Sequence, residues 1–356
     1  ANVIKKINFT SNKKNHKMKY LDLCLLCFIM LSCSSQPDKK QHRPPNIIFV
    51  MSDDHTSQSW GIYGGILEKY VVNKNIKRLA EEGVVLDNAF CTNSICVPSR
   101  ASILTGQYSH NNQVYTLTDA LDPNRQNVAQ LIQKSGYQTA LIGKWHLKEK
   151  PSGFDHFNIL PGQGRYHNPI LKNSDNWEYA NKGGKEYKGF SADVIMDESL
   201  KWLDQRDKDK PFMLMTHFKA THEPFDYPER FKNLFENDTI PEPVSLLDFD
   251  PKLSGRSFDG QILEILAERW RKASIKDTDR YPGLPFDTEG LDAVQSRKKT
   301  YQKFVKDFLK SAAAIDENVG KMLTYLDENG LTENTVIIYT CLLYTSDAAD
   351  DSLRVD

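Results

Sequence analysis

The fold of this chain is inferred first from the stretch Cys96-Val97-Pro98-Ser99-Arg100-Ala101-Ser102-Ile103-Leu104-Thr105-Gly106. Pro98 has a fixed φ and no N–H, which suits the first turn of a helix. Gly106 is placed to end that helix. Cys96 is therefore expected at a helix N-terminus, where free N–H groups and the helix dipole favour an anion. Arg100 lies one turn further on and can reach the same anion.

Short apolar runs on either side of this stretch end in polar residues, as buried strands do when they run into loops. These runs are Asn46–Met51, Val84–Leu86, Thr139–Ile142, Pro211–Met215 and Thr335–Tyr339. Helical periodicity separates them over Asn75–Glu82, Val128–Lys134, Ala192–Gln205 and Tyr301–Leu326. The alternation predicts an α/β fold with a doubly wound, mostly parallel sheet and a site at the carboxyl ends of its strands. The Pro-rich stretch 223–297 breaks the alternation and is interpreted as an insertion on the substrate side.

Composition limits the possible partners. The chain has 356 residues, of which 39% are hydrophobic and 26% charged, and its formal net charge is −1. That length allows a large core, and the neutral balance argues against nucleic acid as a partner. Only Cys91 and Cys96 lie in the mature body, so a disulfide scaffold is not expected. A Cys91–Cys96 disulfide stays open as an alternative.

The N-terminal part is interpreted as a targeting segment. Residues 1–17 contain no Met and are taken as non-native upstream sequence, so residue 18 is the expected start. The apolar stretch Leu21–Leu31 is too short to span a bilayer but fits a signal peptide over 18–33. Its end resembles a bacterial lipobox, which implies lipidation of Cys33; plain signal cleavage is the alternative. We expect a tether over 34–45 and an exported, periplasmic or outer-membrane lipoprotein that meets the membrane only through its lipid anchor.

Three further polar clusters follow the predicted strands. Asp53 and Asp54 directly follow the first strand, and paired carboxylates repel unless a divalent ion or a proton lies between them. Gly143-Lys144-Trp145-His146 follows the third strand, and Lys219-Ala220-Thr221-His222-Glu223-Pro224 follows the fourth. Each cluster taken alone also fits a solvated loop, so the order and combination of the clusters carry the interpretation.

The stretch from Cys96 to Gly106 resembles the signature of the type I, formylglycine-dependent sulfatases. This resemblance implies an alkaline-phosphatase-like fold and conversion of Cys96 to formylglycine by a formylglycine-generating or anaerobic sulfatase-maturing enzyme. A hydrated aldehyde carries two hydroxyls on one carbon: one attacks sulfur and the other later expels sulfate. A buried structural Cys beside a helix cap is the alternative. The other clusters match the family in the same order along the chain.

The resemblance also implies roles for the clustered residues. Asp53 and Asp54 match calcium ligands. Lys144 and His146 match residues that contact the sulfate and the nucleophile, and Arg100 belongs to the nucleophile signature. His222 matches the residue that serves the leaving oxygen as a general acid.

The segment from Leu160 to Pro169 resembles part of the bacterial glycan sulfatases, including N-acetylglucosamine-6-sulfatase-like and heparan-type members. This implies sugar contacts by Gln163, Arg165 and His167, with Lys219 as a further candidate. A Gly-rich turn with incidental polar residues is the alternative. The expected substrate is a sulfated glycan, with 6-sulfated glucosamine-type sugars favoured.

The resemblance breaks after Tyr339. The family continues into Ser-Asp-(Asn, Gln or His)-Gly, which supplies two more calcium ligands, and then into a small C-terminal subdomain. Residues 46–340 therefore read as an incomplete sulfatase catalytic domain that lacks this subdomain, and 341–356 as a non-native tail. A genuine insertion with Asp347 as a calcium ligand is the alternative. Sequencing the source DNA across codon 340 tests whether the tail is native. We also expect the chain as printed to be inactive.

Two other functions stay open. A phosphomonoesterase or phosphonate monoester hydrolase of the same superfamily would share the fold, because sulfate and phosphate are nearly isosteric. An inactive glycan-binding pseudoenzyme would bind sugar without turnover.

Overall fold

The computed structural model describes residues 43–247, 263–276 and 283–342. The chain divides between Pro44 and Pro45 into two units, and the second unit holds the whole central sheet. The predictions for residues 1–17, for the signal segment 18–33 with Cys33, for the tether as far as residue 42 and for the tail from residue 343 lie outside the described residues. Within the described ranges, no helix is both long and apolar enough to cross a membrane.

The central sheet has five strands that all pair in parallel, in the order β3-β2-β6-β1-β7. Its strands are β1 Asn46–Asp53, β2 Gln138–Lys144, β3 His156–Leu160, β6 Phe212–Thr221 and β7 Thr335–Cys341. The two-residue strands β4 Ile170–Leu171 and β5 Lys185–Glu186 form a separate antiparallel ribbon. The predicted parallel sheet is confirmed.

Helices connect these strands. They are α1 Lys74–Glu82, α2 Cys96–Thr105, α3 Ser109–Asn112, α4 Val128–Lys134, α5 Ser191–Gln205, α6 Leu263–Lys276 and α7 Ala293–Glu328. Helix α2 begins at Cys96 and ends as predicted, because Gly106 adopts a left-handed φ of 65° and its N–H bonds to the carbonyl of Ser102.

The sheet is covered on both faces, and the alternation of side chains along each strand sorts them between two cores. In β2, Ala140 and Ile142 join a core that α5 and α7 also line. Leu141 between them points to the other face, where α2 and α4 complete a second core. The fold is therefore doubly wound, as predicted.

Two strand predictions differ from the structure. Residues 84–86 do not form a strand: Val84 is 84% exposed and Leu86 68%, so the run is apolar without a sheet neighbour to bury it. Strand β6 runs on past Met215 to Thr221, because it lies between β1 and β2 and pairs with both. His217 and Lys219 therefore belong to the strand and not to a loop after it.

The long helix begins earlier than predicted, and the predicted insertion contains a helix of its own. Helix α7 begins at Ala293, where Asp292 and Gln295 form a capping box. Helix α6 lies within the predicted insertion and packs against α7 through a separate apolar cluster that includes Trp270 and Phe304. The insertion thus has a core of its own, beside the main sheet.

Gly143 offers a direct test of how tightly the site end of the sheet is packed. Its φ is 104°, and a Cβ there would lie inside the contact distance of the His217 carbonyl oxygen. We expect Gly143→Ala to lower the free energy of unfolding by about 4 kcal/mol or more, because backbone strain and a backbone clash add. Urea unfolding measures this.

Gly136 is the matched control. Its φ is 91°, and nothing lies within 4 Å of a Cβ built on it. Gly136→Ala should therefore cost only the backbone strain of about 1–3 kcal/mol. Equal losses in the two variants would contradict the clash at Gly143.

Candidate active site

The carboxyl ends of three neighbouring strands bring the predicted polar clusters together. Asp53 ends β1, Lys144 ends β2 and Thr221 ends β6, and the order β2-β6-β1 makes these ends adjacent. Parallel strands present their carboxyl ends at one edge, where α/β proteins bind ligands. Cys96 reaches this edge from the first residue of α2.

Cys96 is buried, and its Sγ lies 3.5 Å from Oδ1 of Asp54. Both Cys91 and Cys96 are free thiols, so the alternative of a disulfide between them is not formed. Burial, with Asp53 and Asp54 nearby, raises the pKa of the Cys96 thiol far above its ordinary value. A thiol that stays protonated is a poor nucleophile, so an unmodified Cys96 does not suit thiolate catalysis.

Asp53 is fully buried between two cations. Nη2 of Arg100 donates to its Oδ1 at 2.8 Å, and Nζ of Lys144 donates to its Oδ2. Burial alone would raise the pKa of Asp53, but Lys144 and Arg100 hold it well below its usual range. Arg100 also donates from Nη1 to the carbonyl of Lys144 at 2.8 Å. Arg100 therefore bonds to Asp53 and to the end of β2, and its expected contact with the sulfate anion stays a prediction.

His222 and Asp54 face each other across the site. Nε2 of His222 lies 3.4 Å from Oδ2 of Asp54, and Nδ1 lies 2.8 Å from the carbonyl of Glu223. Because a carbonyl only accepts, we assign the ring proton to Nδ1 and the free lone pair to Nε2. Burial, then Lys144, lowers the pKa of His222 to about 3. The imidazole is therefore neutral, with an acceptor directed at a carboxylate.

Three more predicted residues contribute to this cluster. Gln163 accepts a hydrogen bond from Nζ of Lys144 at its Oε1. Burial, then Lys144, lowers the pKa of His146 to about 3, and His146 holds a left-handed φ of 60°. Lys219 is buried with its Nζ 4.7 Å from the centre of the Tyr166 ring, and burial lowers its pKa to about 8.

Arg165 and His167 lie on the surface, away from this cluster. Arg165 is exposed and pairs with Oε2 of Glu186 at 3.7 Å. His167 is half exposed, and its Nε2 lies 3.0 Å from Oδ2 of Asp226. The structure thus brings Gln163 and Lys219 to the reacting end of the sheet and leaves the other two candidate sugar contacts outside it.

The sequence reasoning missed two positioning residues. Nδ1 of the buried His217 lies 3.2 Å from the carbonyl oxygen of Lys144 and 3.5 Å from Nη1 of Arg100. With a proton on Nδ1 the ring donates to the Lys144 carbonyl, and without one it accepts from Arg100, so it supports one of the two at a time. The Tyr166 hydroxyl donates to the carbonyl of His222 at 2.5 Å. Tyr166 lies in the segment singled out for sugar contacts, so its neighbours gave a signal; His217 gave none beyond its place in β6.

One group of side chains could hold a metal ion. Ligand atoms of Asp53, Asp54, Cys96 and His222 all lie within 4.8 Å of one another. Calcium takes six to eight oxygen ligands, whereas this set offers two carboxylates, one of them already bound by two cations, with a thiol and an imidazole. The apolar Leu342 packs in one cluster with Cys96. The residues that the structure describes therefore do not fit calcium, and calcium stays a prediction that needs oxygen ligands from elsewhere.

Comparison with known protein families and sequences gives a consistent result. The family profile named Sulfatase matches residues 45–341. The chain is 36% identical over 350 residues to an N-acetylglucosamine-6-O-sulfatase of Bacteroides thetaiotaomicron, an alignment that covers 88% of this chain and 61% of that protein. It is 26% identical over 332 residues to an arylsulfatase of Clostridium perfringens, covering 83% of this chain and 62% of that protein.

Solved structures agree in fold. A protein in complex with its substrate D-glucosamine-2-N,6-O-disulfate superposes with a TM-score of 0.71 and 32% identity, over 84% of this chain and 65% of that one. A phosphonate monoester hydrolase of Agrobacterium radiobacter superposes with a TM-score of 0.56 and 18% identity, over 86% and 64%, and shows likeness of fold alone. The chain thus spans slightly under two thirds of these relatives. With the family profile covering most of the described structure, this chain belongs to the sulfatase family.

Proposed function

We propose that the protein hydrolyses sulfate esters of glycans and that residue 96 acts after conversion to formylglycine. The observation that supports this most directly is the convergence of Cys96, Asp54 and His222 beside the buried cations of Lys144 and Arg100. The site thus combines a residue that can attack sulfur, groups that can accept its proton, and positive charge that stabilises the sulfate, and sulfate transfer needs all three.

Position 96 suits the modified residue. Formylglycine would supply a hydrated aldehyde, one hydroxyl to attack sulfur and a second to release sulfate. The surrounding residues prepare that position: the N-terminus of α2 favours an anion, and Lys144 and Lys219 add positive charge in a buried site. Asp53 carries one negative charge between two cations, Arg100 and Lys144, so the three groups together keep a net positive charge for the sulfate.

Two groups at this site can accept a proton. Nε2 of His222 carries a free lone pair, and the Asp54 carboxylate lies beside it, so both can take a proton from a hydroxyl at position 96. His222 can then return that proton to the leaving oxygen of the sugar. The bond from Nδ1 to the Glu223 carbonyl keeps the ring in the required orientation, as in other catalytic imidazoles.

The substrate is proposed to be a 6-O-sulfated glucosamine-type sugar. The relative with 36% identity is named for that activity, and the bound sugar of the similar structure is a glucosamine carrying a 6-O-sulfate. A cavity of about 190 Å³ lies beside the cluster, lined by residues that include Trp145, His146, Gln163, Trp177 and Asn181. Aromatic faces with a few directional polar groups suit a sugar ring.

The remaining proposals concern the maturation of Cys96, the metal cofactor and the location of the protein. Conversion of Cys96 requires a formylglycine-generating or anaerobic sulfatase-maturing enzyme as a partner. Calcium is proposed as the cofactor of the whole protein, with Asp53 and Asp54 among its ligands. The protein is proposed to be exported and anchored through Cys33 as a bacterial lipoprotein.

His222→Ala tests the role of the imidazole in the product of the full source gene. We expect the kcat/KM for sugar sulfates to fall by about 10²–10⁴, because the leaving alkoxide is basic and needs a proton. Activated aryl sulfates should lose far less. Stopped assays on both substrate types measure the difference, and His110→Ala, at an exposed histidine of α3, should leave both rates near the parent values. Equal losses on both substrates would contradict the proton-donor role.

The phosphonate monoester hydrolase neighbour keeps a second reaction open, because the fold is shared. Release of product from matched aryl sulfate, aryl phosphate and aryl phosphonate esters decides between them. We expect sulfate turnover to dominate. Binding of a 6-O-sulfated glucosamine without turnover, by protein whose residue 96 is fully converted, would instead favour the glycan-binding pseudoenzyme.

A further inference from the structure

Lys172 is a cation that the fold buries beside the cavity proposed for the sugar. It follows β4, is 1% exposed, and its main-chain N–H and carbonyl both pair with Ile159 of β3 at 2.8 Å. Its ammonium group bonds to three main-chain carbonyls: Nζ donates to Glu178 at 2.8 Å, to Ala180 at 2.5 Å and to Lys182 at 3.3 Å. An ammonium group has three donors, and lysines are almost never fully buried unless they are paired. The burial of this charge therefore depends on these three bonds.

The three carbonyls belong to one loop, residues 173–184, which joins the short strands β4 and β5. Nζ of Lys172 also lies 4.0 Å from the centre of the Trp177 ring, which packs edge-on against Phe157 of β3. Carbonyl dipoles directed at a common point repel one another unless a cation lies between them. The ammonium group is therefore the centre around which the loop is folded.

The backbone of the loop shows the same dependence. Ala180 holds a left-handed φ of 56°, a conformation that is unfavourable for a residue with a Cβ. Such a conformation persists only where the surrounding structure determines it, and the carbonyl of Ala180 accepts one of the bonds from Lys172. An antiparallel bridge between Trp177 and Gly183 closes the loop. Loss of the ammonium group should therefore loosen the loop around Ala180.

The loop and the reacting cluster line the same cavity of about 190 Å³. Trp177 and Asn181 contribute from the loop, and His146 and Gln163 contribute from the cluster. The loop also touches the segment that carries Gln163, because a Cβ at Gly162 would lie 2.6 Å from Oδ1 of Asn181. The loop therefore shapes the cavity, while the strands of the central sheet hold the reacting groups.

We propose that Lys172 is a positioning residue for sugar specificity: its ammonium group holds the 173–184 loop as a wall of the cavity and presents Trp177 and Asn181 to the sugar. This inference rests on the proposed function, because it concerns the substrate side of the same site. Loss of the charge should weaken the binding of a sugar sulfate and leave the transfer of sulfate from a small aryl ester almost unchanged.

The first experiment measures the loop in the 356-residue chain and needs no turnover. Lys172→Met keeps the length and apolar stem of the side chain and removes its charge. We expect chymotrypsin to cut after Trp177 or Tyr179, at bonds located by mass spectrometry, about 10-fold faster in this variant, because local opening exposes those bonds. Lys172→Arg keeps the charge and should be cut more slowly than Lys172→Met. Lys185→Met, which removes an exposed lysine of β5, is the matched control and should keep the parent rate.

The second experiment measures kinetics in the product of the full source gene. We expect Lys172→Met to raise the KM for a 6-O-sulfated glucosamine by about 10-fold or more and to change kcat by no more than about twofold, because ground-state and transition-state binding are lost equally. The kcat/KM for an aryl sulfate should stay within about twofold of the parent value, which also shows that the variant is folded. Trp177→Ala should raise the same KM. If Lys172 acts through the loop, the double variant should be no worse than the weaker single variant.

Lys172 itself also lines the cavity, so a direct contact between its ammonium group and the sugar is the competing explanation. Additive losses in the double variant, or cutting of the loop at the parent rate in Lys172→Met, would overturn the proposal. Equal losses on the sugar sulfate and the aryl sulfate would overturn it as well. Absence of sulfate turnover in the parent protein would instead contradict the proposed function, and the rate of cutting would still decide whether Lys172 holds the loop.

Discussion

Cys96→Ala, made in the product of the full source gene, is expected to lower kcat/KM for sulfate esters by a factor on the order of 10⁴ or more. The reason lies in the position of residue 96, at the N-terminus of α2 and 3.5 Å from Asp54. None of the other described cysteines reaches that point, so no neighbouring group can replace it. Initial rates on an aryl sulfate and on a 6-O-sulfated glucosamine measure the loss.

The control is Cys91→Ala, which removes the other thiol of the same loop region and should keep full activity. Peptide mass spectrometry of active parent protein should show an aldehyde at residue 96 in place of the thiol. Active protein with an unmodified thiol, or substantial activity in Cys96→Ala, would refute the assignment of the nucleophile.

Asp53→Asn is expected to lower the free energy of unfolding of the 356-residue chain by about 3–5 kcal/mol. The amide keeps the shape of the side chain but removes the only charge that both Arg100 and Lys144 contact in the described structure. Arg100 and Lys144 are almost completely buried, so each would remain as a cation without compensation. Urea unfolding in the presence of a chelator measures the change without any contribution from metal.

The same carboxylate should be visible in the pH dependence. The folded pKa of Asp53 is depressed, so its contribution to stability is present above the ordinary Asp pKa of about 3.9 and is lost as the pH falls towards the folded value. Asp53→Asn should lack this part of the acid slope. Asp54→Asn is the matched control: Asp54 is partly exposed against a thiol and an imidazole, so its loss should change stability by only about 1 kcal/mol. Equal losses at the two positions would refute the role of the buried cations.

The sequence predicted the frame of the sheet well, because burial on both faces produces unbroken apolar runs. Strands β1, β2 and β7 and helix α2 begin and end close to their predicted limits. Strand β3, at His156–Leu160, was missed because it has only five residues and follows a loop that contains Pro151 and Gly153. Residues 84–86 were wrongly predicted as a strand because apolar character alone does not supply a pairing partner.

The site was predicted as a set of residues but not as a set of contacts. Asp53, Asp54, Cys96, Lys144 and His222 meet as the strand order requires. Sequence patterns cannot show that Arg100 bonds to Asp53. A long side chain at this position of α2 can equally reach an anion at the N-terminus of the helix. Sequence patterns also cannot show that His217 supports the end of β2, because that contact depends on the register between β2 and β6.

Two contacts of this fold join parts of the chain that are synthesised far apart in time. Strand β1 pairs with β7, and the hydroxyl of Ser99 bonds to the carbonyl of Leu342, 243 residues later. A ribosome that adds about 5–20 residues per second needs roughly 12–50 s to cover that distance. During this interval β7 and Leu342, which packs with Cys96 in the finished fold, have not yet been made, so we expect the Cys96 thiol to be more accessible than in the finished protein. For the proposed conversion of Cys96, this interval is a time window set by translation, and we expect slower elongation after residue 96 to increase the fraction of chains that carry an aldehyde.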